Sequence, residues 1–265
     1  MLKTWTISNT SNLLAFSTTR KGGVSQGKYG EFNINEYCGD EPEHIAKNRQ
    51  LLAEKLGIAT DHIILPHQVH GTEVGRIDGG FFSLSEDQRK ERLEGVDAVI
   101  TDQRGVCIGV STADCIPVLL YDEEHQAAAA IHAGWRGTLA RIVKRTVEEM
   151  ASAYRSVPGK LKAVIGPGIS LDSFEVGDEV YETFWQAAFP MEKIAELRTS
   201  TSPEQPMKWH INLPLCNKLT LIGCGVEEAN IQDCGFCTFQ HSDEYFSARN
   251  LGIKSGRIYT GIVMK

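Results

Sequence analysis

Three side chains set far apart along the 265-residue chain, His70, Cys115 and His132, are of the types that grip zinc. Zinc takes thiolate, imidazole or carboxylate ligands in a tetrahedron, and a catalytic site uses three of them and leaves a fourth position for water or substrate. His70 follows a β-rich run, Cys115 interrupts two others, and His132 ends a fourth just before a strong helical pattern, so all three can meet at one sheet edge. Their separations of 45 and 17 residues match no compact metal motif. On spacing alone, two satisfied histidines and an inert buried cysteine are the plainer reading. His67 and His70 form H-x-x-H, which on a strand sends the rings to opposite faces, so only one of them would serve a metal. His44, His62, His125, His210 and His241 stand in polar surroundings and read as surface groups.

The run His132-Ala133-Gly134-Trp135-Arg136-Gly137-Thr138 suggests a second kind of chemistry. Gly134 lets backbone approach a ligand, a helix start offers unpaired N–H groups, and Arg136 supplies a fork of donors for phosphate or carboxylate. An ordinary glycine turn with Trp135 in the core and Arg136 in solvent fits the same residues. Asp114, beside Cys115, can move a proton or orient a histidine, although an aspartate at a strand break is more often a turn former. Glu175 is a similar candidate. Cys234-Gly235-Phe236-Cys237 is a lone C-x-x-C and reads as packing thiols, since structural zinc needs a second pair and redox chemistry a thioredoxin-like βαβ context.

The elements that must carry these residues are legible as patterns. Leu13 to Arg20 reads as a strand, closed by the turn-rich Lys21 to Gly27. Ile45, Leu51, Leu52 and Leu56 describe a helix over Glu43 to Leu56 that Gly57 stops. Ile63 to Leu65, Asp97 to Thr101, Val106 to Val110 and Ile116 to Asp122 are β-rich, and Pro117 predicts an edge or a bulge. Ala127 to His132 lacks alternation and predicts a strand buried on both faces. A helix with one apolar stripe runs from Leu139 through Ile142, Val143, Val147 and Met150 to Tyr154. Residues 83 to 95 read as an exposed loop or short surface helix, and 191 to 208 as a mixed connection with two prolines. A strand over Leu161 to Ile165, helices over Asp178 to Phe189 and Leu213 to Cys224, short strands around Ile231 and a closing strand over Gly256 to Val263 complete the chain. Strands and helices without strict βα alternation predict the α+β class, in one domain over 1–265.

Composition narrows the class. A hydrophobic fraction of 42% and a net charge of −7 describe an ordinary globular protein without the clustered Lys and Arg that track phosphate backbones, so no nucleic-acid partner is expected. No stretch approaches the roughly 18 apolar residues of a membrane span, and the N-terminus has no signal-peptide core. Seven cysteines, an odd number, suit free thiols or metal ligands in a reducing cytoplasm.

Gln68-Val69-His70-Gly71, Asp97-Ala98-Val99-Ile100-Thr101, Thr112-Ala113-Asp114-Cys115-Ile116-Pro117 and above all Ile131-His132-Ala133-Gly134-Trp135-Arg136-Gly137 resemble the laccase-domain family, also called YfiH-like or YlmD-like. The likeness extends to Thr19-Arg20-Lys21-Gly22-Gly23 with Asn33, to Phe174-Glu175-Val176-Gly177, and to Phe246-Ser247-Ala248-Arg249 with Gly256-Arg257. It implies one α+β domain of layered mixed sheets with flanking helices, and a metal held by His70, Cys115 and His132. Leu171-Asp172-Ser173 departs from the pattern where relatives often carry cysteines, and Ala248 where an aromatic residue is common.

Older naming of this family is polyphenol oxidase; newer naming is purine nucleoside phosphorylase with adenosine deaminase activity. The resemblance therefore implies a zinc enzyme that phosphorolyses adenosine, inosine and related purine nucleosides, methylthioadenosine included, and deaminates adenosine. Asp114 or Glu175 would carry protons, and Arg20, Arg136, Arg249 or Arg257 would hold phosphate, with Asn33 and Gly134 beside the ligand. The expected partners are small molecules, with the chain a monomer or weak dimer. Two rivals stand beside this reading. A four-copper oxidase needs roughly ten histidines, which eight scattered ones without an H-x-H do not furnish, although copper outcompetes zinc at most N/S sites. A Cys-His hydrolase with Cys115 as nucleophile and His132 as base differs from metal binding only by the absence of the metal.

Overall fold

The computed structural model describes residues 1–7, 12–199 and 207–265. At its centre lies a hairpin of β7 (Ile116–Asp122) and β8 (Ala127–Ala133), every residue of which is buried. Side chains alternate across a strand, so Val118, Leu120, Ala129 and Ile131 face one way and Leu119, Tyr121, Ala128 and Ala130 the other. That double burial is why both strands read as unbroken apolar runs. The hairpin is flanked by β9 (Lys162–Ile165), β13 (Ile231–Asp233), β5 (Val96–Thr101) and β4 (Glu73–Ile77), giving a six-stranded mixed sheet in the order β13-β9-β7-β8-β5-β4.

One face of this sheet packs on α4 (Ile142–Tyr154) and α7 (Leu213–Gly223) through Ile142, Val143, Val147, Met150, Leu213 and Leu221. The other face stacks on a second sheet of β1 (Leu2–Trp5), β2 (Leu13–Thr18), β14 (Ile258–Met264), β6 (Cys107–Thr112) and β3 (Ile63–Ile64), in that order. Ile108, Val110 and Ile262 meet Leu119, Ala128 and Val164 between the sheets. The outer face of the second sheet is covered by α1 (Pro42–Leu56), whose Leu52, Ala53 and Leu56 join Phe16, Ile63 and Tyr259. The result is an α+β stack of helix, sheet, sheet and helix. A third sheet, β10 (Glu175–Val176), β12 (Met207–Ile211) and β11 (Ala195–Thr199), lies beside α5 (Asp178–Gln186) and α6 (Met191–Ile194).

Several sequence expectations change. The helix expected from Leu139 to Tyr154 is broken: α3 (Trp135–Leu139) ends, Arg141 turns left-handed at φ 63°, and α4 begins. The Arg141 guanidinium holds that turn, 3.7 Å over the Phe189 ring and bonded to Ala187 O and Thr220 Oγ1. Pro117 sits neither at an edge nor at a bulge but in central β7. Its carbonyl accepts from Gly166 N, just past the end of β9, so the missing N–H faces a side where no strand continues. The 191–208 segment contains β11 and the start of β12, while Pro203 and Pro206 lie outside the described residues. His210, expected at the surface, is buried on β12 with Nδ1 2.9 Å from Leu171 O. Residues 83–95 do carry a surface helix, α2 (Glu86–Leu93), started by a capping box between Ser85 and Gln88. No helix among the described residues is long and apolar enough to cross a membrane.

Candidate active site

The C-terminal ends of β6 and β8 and the start of β7 open on one cleft. Cys115 immediately precedes β7, and His132 is the last residue but one of β8. His70 arrives from outside the sheets. Its segment is docked by Gln68, whose amide exchanges hydrogen bonds with the backbone of Ser111 on β6 at 2.8 and 2.9 Å. His70 itself is left-handed at φ 64°, as is Asp114 at φ 87° just before Cys115. Non-glycine residues held there are uncommon, and such strain gathers at functional sites. Ligand atoms of His70, Cys115 and His132 all lie within 4.8 Å of one another. Of the two rings in H-x-x-H only His70 joins this group, for a reason unlike the alternation expected: the segment is no regular strand, and the left-handed turn redirects it.

Asp97 organises the site and is the residue that sequence reasoning missed. It is fully buried at the start of β5, inside a run that reads as a strand and as a family motif but suggests no role for its acid. Its Oδ1 accepts from His70 N at 2.9 Å, its Oδ2 from Val69 N at 3.1 Å and Gly71 N at 2.7 Å, and His132 Nδ1 lies 2.7 Å from Oδ1. One carboxylate thus fixes both the loop of the first ligand and the ring of the third. Burial alone would push Asp97 up, but the His132 hydrogen bond and charge, with the backbone amides, hold it below the usual carboxylate range. With Nδ1 donating to Asp97, His132 turns Nε2 toward Cys115.

The electrostatics of the pair follow. Burial pushes the Cys115 thiol up, yet the charge and hydrogen bond of His132, then those of His70, bring it down to about 6. Burial in turn lowers His132, but the Cys115 charge and the Asp97 hydrogen bond raise it to about 9. The Cys115 thiolate is the state a metal ligand needs, whereas His132, held as imidazolium beside it, gives up its proton to become one. Space is kept for an ion as well: a Cβ at Gly134 would stand 2.9 Å from His70 Cδ2 and 3.0 Å from Cys115 Sγ. The donors therefore fit zinc, two nitrogens and one sulfur around a place only glycine leaves open.

The cleft occupies ≈ 890 Å³, within the range of small-molecule sites. Besides the trio it is lined by Tyr37, His67, Asp114, Trp135, Phe174, Arg249, Lys254 and Arg257, among others. Asp114 reaches the cleft, but its Oδ1 accepts from Thr238 Oγ1 and its Oδ2 from Arg249 N, both at 2.7 Å. Arg249, on the short α8 (Ala248–Leu251), stacks over Phe174 and donates to Ser173 O and Glu175 O. Arg257 donates to the carbonyls of Ile253, Ser255 and Gly256 and so shapes the loop that carries Lys254. Asn33 is buried beneath it, accepting from Arg257 N. Arg20, Arg136 and Glu175 are not among the cleft's lining residues. Arg20 is engaged by Gly30 O and Ser242 O, Arg136 is exposed over Trp135, and Glu175 pairs with His210 on the third sheet.

Of the other histidines, His67 lines the cleft with its ring on Glu94, and the rest lie away from it: His44 near Asp40, His62 with Gly105 O, His125 with Asp122, His210 with Leu171 O, and His241 against Phe236. All seven cysteines are free thiols. The buried Cys237 sulfur accepts from Ser170 N at 3.4 Å and donates to Ser173 Oγ at 3.4 Å.

Residues 14–265 match the family model described as multi-copper polyphenol oxidoreductase laccase. A protein of Bacteroides thetaiotaomicron named purine nucleoside phosphorylase is 45% identical over 264 residues, covering 100% of this chain and 96% of its own. Adenosine deaminase RL5, from an unknown prokaryotic organism, is 41% identical over 251 residues, covering 95% and 94%. The crystal structure of YlmD from Geobacillus stearothermophilus superposes with a TM-score of 0.83 at 27% identity, over 96% of this chain and 93% of that one.

Proposed function

The chain belongs to the multi-copper polyphenol oxidoreductase laccase family and is an enzyme, and from that premise we propose that it is a zinc-dependent purine nucleoside phosphorylase with adenosine deaminase activity. Its relatives' names support purine nucleoside processing; the finer reading takes adenosine, inosine and methylthioadenosine as substrates with phosphate. The observation that carries it is the His70, Cys115 and His132 cluster, opened by Gly134 onto a cleft that also holds Arg249, Lys254 and Arg257. When bound by these three ligands, zinc supplies Lewis-acid polarisation to a substrate group or solvent molecule beside it. The chain's own residues do the rest. Arg249 and Arg257 take the phosphate in this reading, supported by their place in the cleft lining, and Phe174 and Trp135 give the base apolar walls. Asp114 positions Arg249 through its backbone N–H.

Zinc rather than a multi-copper array is supported by the histidines themselves, since those outside the trio face separate partners. The free thiols fit a cytoplasmic enzyme. We read 1–265 as one domain, a monomer or weak dimer acting on small molecules, in keeping with its net charge of −7. One observation favours a second reading. A Cys115 thiolate beside a protonated His132 is also the state of a Cys-His hydrolase.

The test is metal analysis of protein purified without added metal, joined to chromatographic assay of adenosine and inosine with and without phosphate. Stoichiometric zinc, phosphate-dependent base release and phosphate-independent conversion of adenosine to inosine are expected. Turnover that survives chelation points to the thiol hydrolase, and phenol oxidation that needs copper points to the oxidase. Absence of both base release and deamination ends the nucleoside reading.

A further inference from the structure

We propose that His67, held by Glu94 and Tyr37, is the acid that gives a proton to the departing purine during phosphorolysis; this rests on the nucleoside reading above. Cleavage of a purine nucleoside pushes an electron pair onto the base, and a proton delivered to its ring nitrogen makes that base a better leaving group. Some group in the cleft must bring that proton. The carboxylate of Asp114 already accepts from Thr238 and from Arg249 N. Glu175 is not part of the lining. The Cys38 thiol donates to Asn35 O, and burial raises both it and the Tyr37 phenol above their ordinary values, which makes them poor donors. Lys254 and His67 remain among the lining groups outside the metal trio, and of the two the imidazole is the type most used for proton transfer and the one held in a fixed orientation.

Its geometry is that of a ring built to point. Both carboxylate oxygens of Glu94 lie at 2.8 and 2.9 Å from Nδ1, which assigns the Nδ1 proton to Glu94 and leaves Nε2 to serve the cleft. The ring plane is set by Tyr37, stacked at 4.2 Å between centroids and 22° between planes. The backbone is anchored by His67 N donating to Leu93 O at 2.9 Å and by a bridge to Glu94. The His67 and Glu94 side chains are 36% and 62% exposed, and an ion pair so placed adds little to stability. Three restraints on a ring that contributes little to the fold make sense as orientation. In the step, a phosphate oxygen bonds to C1′ as the N9–C1′ bond breaks, its electron pair passes into the purine, and N7 takes the proton from His67 Nε2. The base leaves as its neutral N7–H tautomer, and His67 recovers its proton from solvent. Glu94 and Tyr37 are positioning residues.

The test compares inosine with 7-methylinosine, whose N7 already carries a methyl group and a positive charge and needs no acid. In His67→Gln, kcat with inosine should fall by about 10²- to 10⁴-fold while kcat with 7-methylinosine stays within about threefold of wild type. Glu94→Gln should show the same split between substrates with a smaller loss. Zinc content and melting temperature of both variants should match wild type. Equal loss on both substrates, with or without loss of zinc, or no loss on either, overturns the assignment. If the unmodified enzyme releases no base from either nucleoside, the phosphorylase reading itself fails and takes this one with it.

Discussion

Asp97 Oδ1 and His132 Nδ1 lie 2.7 Å apart, and the same carboxylate receives the N–H groups of Val69, His70 and Gly71. This one fully buried side chain ties the loop carrying the first ligand to the strand carrying the third. Replacing it by Asn keeps the size but removes the charge and one accepting oxygen, and since each oxygen receives two N–H groups, two donors in this buried site lose their partner. Residues that orient a ligating histidine from behind typically cost 10- to 100-fold in metal affinity when changed. Asp97→Asn should therefore lower zinc affinity by about that factor in a chelator competition. It should also destabilise the metal-free protein by about 1–3 kcal/mol, read from urea unfolding. An unchanged affinity would mean that Asp97 serves the fold alone.

Gly134 separates the metal from the fold. Its φ of −65° suits any residue, so alanine meets no backbone strain there. The added Cβ would, however, stand 2.9 Å from His70 Cδ2 and 3.0 Å from Cys115 Sγ, and the donors must part to admit it. Gly134→Ala should retain its secondary structure by circular dichroism and lose most of its bound zinc and most turnover. Full zinc occupancy with full activity in that variant would show that the gap between the three side chains is not where the ion sits.

How far the sequence carries to this site depends on which forces write themselves locally. The β7 and β8 hairpin was legible because burial on both faces demands unbroken apolar runs. The three-stranded sheet was not, since β11 alternates Leu197 with Glu196 and Arg198 on a largely exposed edge and leaves no apolar stripe. The break at Arg141 was hidden because the apolar spacing continues across it, whereas the left-handed turn is held by contacts with Phe189 and Thr220 far along the chain. His70, Cys115 and His132 were found through ordered family motifs, their spacing being uninformative. Asp97 stands in one of those motifs, yet its role is not legible there, because an acid heading an apolar run carries no local mark of what it will meet across the sheet.

Arg249 offers a way to separate the two proposed activities. Its guanidinium uses Nη1 on Ser173 O and Glu175 O and stacks on Phe174, leaving its other donors to the cleft. Arg249→Met preserves the stem and removes the charge. A hydrogen bond to a charged group contributes about 1.5–3 kcal/mol, so the KM for phosphate should rise roughly 10- to 100-fold. Deamination of adenosine, which consumes no phosphate, should change far less. Parallel losses in both reactions would assign Arg249 to the nucleoside or to the cleft wall.

The Cys115 and His132 values set a proton count for metal uptake. Lowered from 9.0 to about 6, Cys115 contributes stability that is complete above pH 9 and is lost as pH falls through about 6. Raised from 6.5 to about 9, His132 contributes stability that is complete below pH 6.5 and is lost as pH rises through about 9. Between these limits the two slopes oppose each other, so the pair adds no net pH dependence to the metal-free fold and holds one proton in total. Zinc takes a thiolate and a neutral imidazole, so its binding must expel that proton. Affinity should thus rise about tenfold per pH unit from 7 to 9 and level off above, and the thermal stabilisation by zinc should grow over the same window. Calorimetry at pH 7.5 in buffers of different ionisation enthalpy should return about one proton released per zinc. The thiolate should already be visible before metal is added, as an ultraviolet difference from Cys115→Ser that fades on acidification through about 6. A metal-free protein without that absorbance, releasing its proton from a neutral thiol, would show that the two imidazoles do not charge the cysteine.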